Sequence, residues 1–525
     1  MTLYPTVMPG LSRHPRFSGR CRLELGGPRH KAGVTERFVT LLVASSLTAC
    51  SLAPNYIRPE APVPPSWPVG DAYLRSSEAA LPAVRYQDIF RDARLQTIIA
   101  QALTNNRDLR IAAANIAIAR GQYRVQRAEL LPEIDANGGV TARGGGSSSS
   151  SSSSSTTGGS TGSTGGGTRT SFDATLGITS FELDLFGRVR SLTSAAQDRY
   201  FATEAAARTV RLTMIGDIAD AWLSYGSDKS LLKIAQDTAT SAAKSVDLTR
   251  KRLDGGIAPR TDLRQAELVL DTAKADLAQQ TTLLAQDVNA LQLLVGAPVD
   301  PALLPASIDE AAATLAELPA GLDSSILLRR PDVVDAEYQL RAANAEIGAA
   351  RAALFPRISL TGLIGIASNA LGALFTGGAF NWQAGGAASY PIFRAGAGRA
   401  GIDVSKAQRD AAVATYEKAI QTAFREVADA LARRGTITDQ LNATRDLRAA
   451  AADNYQLSDK RYRGGIDSFL QSLDAQRSLY SAERTLVTTQ LTRASNLVTL
   501  YRVLGGDSLV EATKAGPTPV TPTAP

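Results

Sequence analysis

The stretch Arg461-Tyr-Arg-Gly-Gly-Ile-Asp-Ser-Phe-Leu-Gln-Ser-Leu-Asp-Ala-Gln476 decides how the chain is read. An Ala-rich segment with hardly a helix breaker runs into it from about Ala395, and a second helical pattern leaves it and continues to Leu504. Two adjacent glycines cost about 2 kcal/mol inside a helix, so Gly464-Gly465 marks a reversal between two long helices, where the backbone needs positive φ. The same signature stands upstream as Arg250-Lys-Arg-Leu-Asp-Gly-Gly-Ile-Ala-Pro-Arg-Thr-Asp262, with Gly255-Gly256 at its centre. Each half of the chain carries one helical hairpin with an exposed tip.

Outward from the tips the two halves match. Arg127-Ala-Glu-Leu-Leu-Pro132 returns as Arg351-Ala-Ala-Leu-Phe-Pro356, 224 residues on, and Leu183-Asp-Leu-Phe186 as Tyr390-Pro-Ile-Phe393, 207 residues on. The 17-residue difference falls on a Ser/Gly-rich tract at 144–167, so the repeat is a duplication with one lengthened loop. The first repeat spans 91–323 and the second 324–506. Apolar spacing predicts one helix over 91–130, a long one from Gly187 to Asp254, and shorter ones over 261–295 and 324–354. An irregular stretch covers 296–323. The long helix reaches roughly 100 Å at 1.5 Å per residue, about the length of two short helices stacked end to end beside it.

Between the helices the period changes to two. Strands are expected over 133–143, 171–185, 356–368 and 380–393, as in Phe172, Ala174, Leu176, Ile178 and then Phe181, Leu183, Leu185. The Ser/Gly tract between the first two buries nothing and reads as a disordered hairpin tip. Strands of this length suit a bilayer crossing, yet four cannot close a barrel, because single-chain barrels begin at about eight. An open sheet leaves its edges unsatisfied in lipid, so spanning strands require oligomerisation. Two copies give eight strands and three give twelve, and counting does not choose. Residues 395–463 carry a narrow apolar stripe (Ile402, Val413, Tyr416, Ile420, Phe424, Val427, Leu431) of coiled-coil type, leaving a polar face available to line water.

Charge and composition narrow the function. Of a formal net charge of +6, residues 1–49 supply seven Lys/Arg against two Asp/Glu, so the rest is nearly neutral and nucleic acid is not the expected partner. The basic segment leads into Arg37-Phe-Val-Thr-Leu-Leu-Val-Ala-Ser-Ser-Leu-Thr-Ala-Cys50, too short to span, which reads as a signal peptide over 1–49 with an over-long start. Leu47-Thr-Ala-Cys50 resembles a bacterial lipobox, which implies cleavage before Cys50 and acylation there. Ser51 resembles the sorting position of outer-membrane lipoproteins. Residues 50–90, rich in proline, read as an extended tether from that anchor, and 507–525 as a disordered Pro/Thr-rich tail. Both histidines and Cys21 precede Cys50, so imidazole catalysis, Cys/His nucleophiles and the usual zinc sites are excluded from the mature chain. No enzyme activity, metal or cofactor is expected.

Asn106-Arg-Asp-Leu-Arg110, Phe181-Glu-Leu-Asp-Leu-Phe-Gly-Arg188, Arg329-Arg-Pro-Asp332, Glu417-Lys-Ala-Ile-Gln-Thr-Ala-Phe424 and the 461–476 tip carry a family resemblance. The chain resembles the outer-membrane efflux proteins, the TolC-like exit ducts, and most closely their OprM-like lipoprotein branch. The resemblance implies a mostly helical trimer with a twelve-stranded membrane barrel continued by a long periplasmic tunnel. It implies a passive outer-membrane duct for drugs or other small amphiphiles, docked on a periplasmic adaptor and driven by an inner-membrane resistance-nodulation-division transporter. A duct for secreted proteins and a lipid-anchored trimeric coiled-coil tether are the alternatives.

In such ducts the tip closes the periplasmic end. Leu470 and Asp474, one helical turn apart, match the constriction residues, and Gln471 stands where the founding pattern has a second aspartate. Three Asp474 carboxylates about 6 Å apart repel by roughly 0.7–3 kcal/mol per pair, which favours cations and invites block by multivalent ones. Asp262 and Tyr462 match positions that tie neighbouring tip helices, an expected closed-state latch, although Asp467 replaces an arginine of that pattern. The glycine tips 255–256 and 464–465 match the surfaces presented to the adaptor.

Overall fold

The computed structural model describes residues 51–68, 70, 72–73, 85–144, 168–316, 324–513 and 516–518. The signal segment, Cys50 and the Ser/Gly tract from residue 145 to 167 lie outside them. The chain order is α1 (Tyr86–Ile89), α2 (Ala93–Asn105), α3 (Arg107–Ala128), β1 (Asp135–Gly144), β2 (Thr168–Leu183), α4 (Arg188–Asp254), α5 (Arg260–Val295) and α6 (Ile308–Ala313). It continues with α7 (Pro331–Ala352), β3 (Arg357–Ser368), β4 (Phe380–Ser389), α8 (Ala397–Arg463) and α9 (Phe469–Val503). The duplication is plain in these lengths: α4 and α8 have 67 residues each, α5 and α9 have 36 and 35.

Each long helix is flanked by shorter ones. Helix α4 packs against α5 toward the tip and against α3 and α7 toward the sheet, while α8 packs against α9 and α7. The expected single helix over 91–130 is broken at Asn106, whose φ of −59° and ψ of 136° end α2 and cap α3. Its Oδ1 accepts from Leu109 N at 3.0 Å, and its Nδ2 donates to Leu294 O, in the last turn of α5, at 2.6 Å. In the second repeat Arg330 breaks the expected 324–354 helix just before Pro331, where the residue ahead of proline is driven out of the helical region. Its Nη1 donates to Val503 O at 2.7 Å. Leu294 and Val503 are equivalent by the tip-to-tip offset of 209, and Asn106 and Arg330 by the offset of 224. Both repeats thus join two short helices end to end by feeding a side-chain donor to an orphan helix carbonyl.

The four strands form one antiparallel sheet in the order β1-β2-β3-β4. Its registers align Gly138, Ala174, Ile366 and Phe380 on one face, with Leu176, Ile364 and Trp382 beside them. The other face carries Asn137, Thr175 and Asn381, with Asp173 and Gln383. A bulge between Ile178 and Phe181 opposes two residues of β2, Thr179 and Ser180, to one of β3, Thr361, so Phe181 and Leu183 return to the apolar face opposite Leu360 and Ile358. The fourth strand stops at Ser389, short of the expected Phe393, because Pro391 offers no N–H to the ladder. The outer edges of β1 and β4 have no partner strand among the described residues. No helix among the described residues is long and apolar enough to cross a membrane.

The main core lies midway along the shaft, where α2 and α6 close over the long helices. Leu95, Ile98, Ile99, Ile215, Trp222, Ile308, Tyr416 and Tyr501 are buried there, and Trp222 Nε1 donates to Leu303 O at 3.0 Å. The segment read as a tether is extended but strapped onto this body. Arg58 bonds the fully buried Glu337 at 2.6 Å, Tyr56 donates to the same carboxylate, and Trp67 stacks on Phe424 with ring centres 4.9 Å apart. At Gly348 any Cβ would stand 2.7 Å from Ala53 N, so the strap runs directly over the helix backbone. The start of the expected tail is also held: Asp507 takes both Arg211 Nη atoms at 2.7 and 2.8 Å, and Val510 N donates to Arg329 O.

Candidate functional site

The two tips are built alike. In the second, Gly464 N reaches Lys460 O, Gly465 N reaches Tyr462 O, and Ile466 N closes back on Arg461 O at 2.9 Å. Gly255, Gly256 and Ile257 make the same three bonds to Lys251, Leu253 and Arg252. Only the second glycine of each pair has positive φ, +74° at Gly256 and +75° at Gly465. Gly255 at −81° and Gly464 at −74° have negative φ, so the positive φ expected of the reversal is taken by one glycine of each pair. The turn leaves Ile257 and Ile466 exposed at the apex.

Past the turn, α9 turns Phe469, Ser472, Leu473 and Gln476 inward and leaves Leu470 and Asp474 exposed. Leu470 is 51% accessible, high for a leucine in an ordered helix. The pair stands one turn apart on a single face, a geometry that can present an apolar and an acidic ring to a common axis.

The Asp262–Tyr462 hydrogen bond does not form within this chain. Tyr462 is buried, its hydroxyl has no hydrogen-bond partner, and its ring packs on Phe469 with the Arg252 guanidinium 4.7 Å above it. Asp467 turns back to Arg461, with Oδ2 at 2.6 Å from Nε and Oδ1 at 2.9 Å from Nη2. That pair lowers the Asp467 pKa and raises that of Arg461. It stiffens its own turn and leaves the neighbouring hairpin untouched. The tip is held to α4 and α5 by apolar contact, through Val246, Leu263, Ala266 and Val269 against Tyr462, Phe469 and Leu473.

Farther up the first hairpin, burial and the neighbouring Asp228 carboxylate push Asp287 up to about 7. Sequence reading missed this pair, because nothing in the α4 and α5 patterns says that the two aspartates face each other. It also left the roles of Asn106 and Arg330 unassigned, although the 224-residue offset relating them was visible.

Comparison with known proteins agrees with this architecture. Residues 98–297 and 322–506, which include both strand pairs and both hairpins, match the family described as outer membrane efflux protein. The chain is similar to the toluene efflux pump outer membrane protein TtgC of Pseudomonas putida, 44% identical over 476 residues covering 90% of this chain and 96% of that one. The antibiotic efflux pump outer membrane protein ArpC of Pseudomonas putida is similar to the same extent, 44% identical over 90% of this chain and 96% of its own. Among solved structures, the open-state MtrE outer membrane channel of Neisseria gonorrhoeae aligns with a TM-score of 0.75 at 36% identity, over 87% of this chain and 98% of that one. With a TolC-like fold of strands and paired hairpins matched along both repeats, the chain belongs to the outer membrane efflux protein family.

Proposed function

We propose that three copies of this chain form the exit duct of a tripartite efflux pump, each giving four strands to a twelve-stranded barrel and two hairpins to a periplasmic tunnel. The observation that carries the reading is the open sheet, with one apolar face, one polar face and two edges unpaired among the described residues, at the end of a helical shaft about 100 Å long. Edges of that kind are stable in lipid only when another strand covers them. Substrate passes through without being transformed, and the apolar compounds and antibiotics named for the relatives set the expected class. Energy comes from an inner-membrane resistance-nodulation-division transporter, reached through a periplasmic adaptor that meets the tips at Gly255-Gly256 and Gly464-Gly465. Leu470 and Asp474 form the periplasmic constriction.

Acylation of Cys50 completes the membrane attachment. What supports it is the path of the strap: Leu52 O accepts from Arg351 Nη1 at 3.0 Å and Pro54 O from Asn344 Nδ2 at 2.8 Å. Arg351 lies six residues before β3, so the residues just after Cys50 run along the rim where the sheet begins. The test is planar-bilayer conductance together with the oligomer mass of the same detergent preparation. A conducting species with the mass of three chains is expected. A folded monomer without conductance overturns the duct and leaves a lipid-anchored tether.

A further inference from the structure

The two hairpins of one chain meet through a polar cluster that neither the tip nor the duplication explains. Helix α9 carries Tyr480 and Arg484 one turn apart, and both reach Asp276 on α5. Tyr480 Oη donates to Asp276 Oδ2 at 2.5 Å, and Arg484 Nη1 stands 3.3 Å from the same oxygen. The guanidinium also lies 5.4 Å from the centre of the Tyr480 ring. The Asp276 side chain is only 18% accessible, so the carboxylate is largely withdrawn from water and both bonds to it are charge-assisted. Burial, and then Asp276, push the Tyr480 pKa up to about 12, which keeps the phenol a donor at any physiological pH.

A second bond ties the other two helices. Ser241 Oγ on α4 and Tyr455 Oη on α8 are 3.1 Å apart. Tyr480 is eleven residues into α9 and Tyr455 nine before Gly464, so both ties stand about 15 Å from the turn. Ser241, Tyr455 and Tyr480 all line one cleft of about 540 Å³ between the hairpins. Below that level the contact between hairpins is the apolar cluster around Tyr462 and Phe469, which is non-directional and tolerates sliding.

The cluster is also asymmetric. At the tip-to-tip offset of 209, Tyr480, Arg484 and Asp276 correspond to Asp271, Ala275 and Thr485, none of which reproduces the tie. A scaffold contact inherited through the duplication would appear in both halves. This one joins α5 to α9 and no equivalent pair.

Because this cluster is a directional tie between the two hairpins where the tip itself offers only apolar contact, we infer that Asp276, Tyr480 and Arg484 are the latch of this duct, standing above the tip where Tyr462 makes no hydrogen bond in this chain. The inference rests on the duct reading, and its test is chosen to separate the two. Tyr480→Phe, which removes one oxygen and keeps the ring, and Asp276→Asn are each expected to shift the open-to-closed ratio toward open by about tenfold. The shift is read as raised planar-bilayer conductance. Amide hydrogen exchange over 461–468 in detergent should quicken by a similar factor. Asp276→Arg alone should behave likewise, and adding Arg484→Asp should return both readings toward wild type. Unaltered exchange in Tyr480→Phe overturns the latch, whatever the conductance shows. Faster exchange in a preparation in which no variant conducts upholds the tie and overturns the duct.

Discussion

At Gly465 the backbone stands at φ +75°, where an L side chain is strained, while one residue earlier Gly464 stands at −74°, where any residue fits. Gly465→Ala is therefore expected to cost about 1–2 kcal/mol, and Gly464→Ala close to nothing, since its Cβ would meet only ordinary contacts from 3.4 Å outward. Thermal melting of the two purified variants checks this, and equal losses would contradict it. The sequence shows that a reversal is needed here, because two helix breakers stand together between helical patterns. Which glycine takes the unusual φ follows from the closing bond of Ile466 N on Arg461 O, a geometry that composition does not carry. Tyr462 shows the same limit. Its place in the tip was legible, but its packing against Phe469 and beneath Arg252, with the hydroxyl buried and without a hydrogen-bond partner, was not.

At the scale of elements, periodicity did well where neighbours in sequence decide the outcome. Helix α4, the two tips and the start of β3 all fall within a residue or two of their expected bounds. Even the β2 bulge was written in the pattern, since the apolar positions step from Ile178 to Phe181 and change parity. The strap was misread because its partners lie far along the chain. Arg58 meets Glu337 and Tyr416, respectively 279 and 358 residues away, and no local pattern announces such a contact. Removing Arg58 leaves Glu337 as a buried, unpaired charge, so Arg58→Ala should destabilise the chain by about 3 kcal/mol or more. Replacing both partners together, Arg58→Met with Glu337→Leu, should recover most of that loss in denaturant melts. If the double variant falls as far as the single one, the strap acts through something other than this pair.

At the scale of the whole molecule, the proposed trimer would bring together the exposed apolar face of the sheet, the two edges that have no partner strand among the described residues, and the outward Leu470 and Asp474. In the proposed trimer three Asp474 carboxylates would form a ring, and their like charges would raise the local cation concentration. Asp474→Asn should therefore lower the cation-over-anion selectivity measured from reversal potentials in a salt gradient. Unchanged selectivity would remove Asp474 from the constriction. The sequence by itself determined the duplicated plan of hairpins and strands, because helix period, strand period and glycine tips are local properties repeated at a fixed offset. Only the tertiary structure decided how the short helices join at Asn106 and Arg330, how the strap locks onto Glu337, and that Asp276 meets Tyr480 and Arg484. Those contacts depend on which surfaces come together when distant helices pack, and that is set by the fold as a whole.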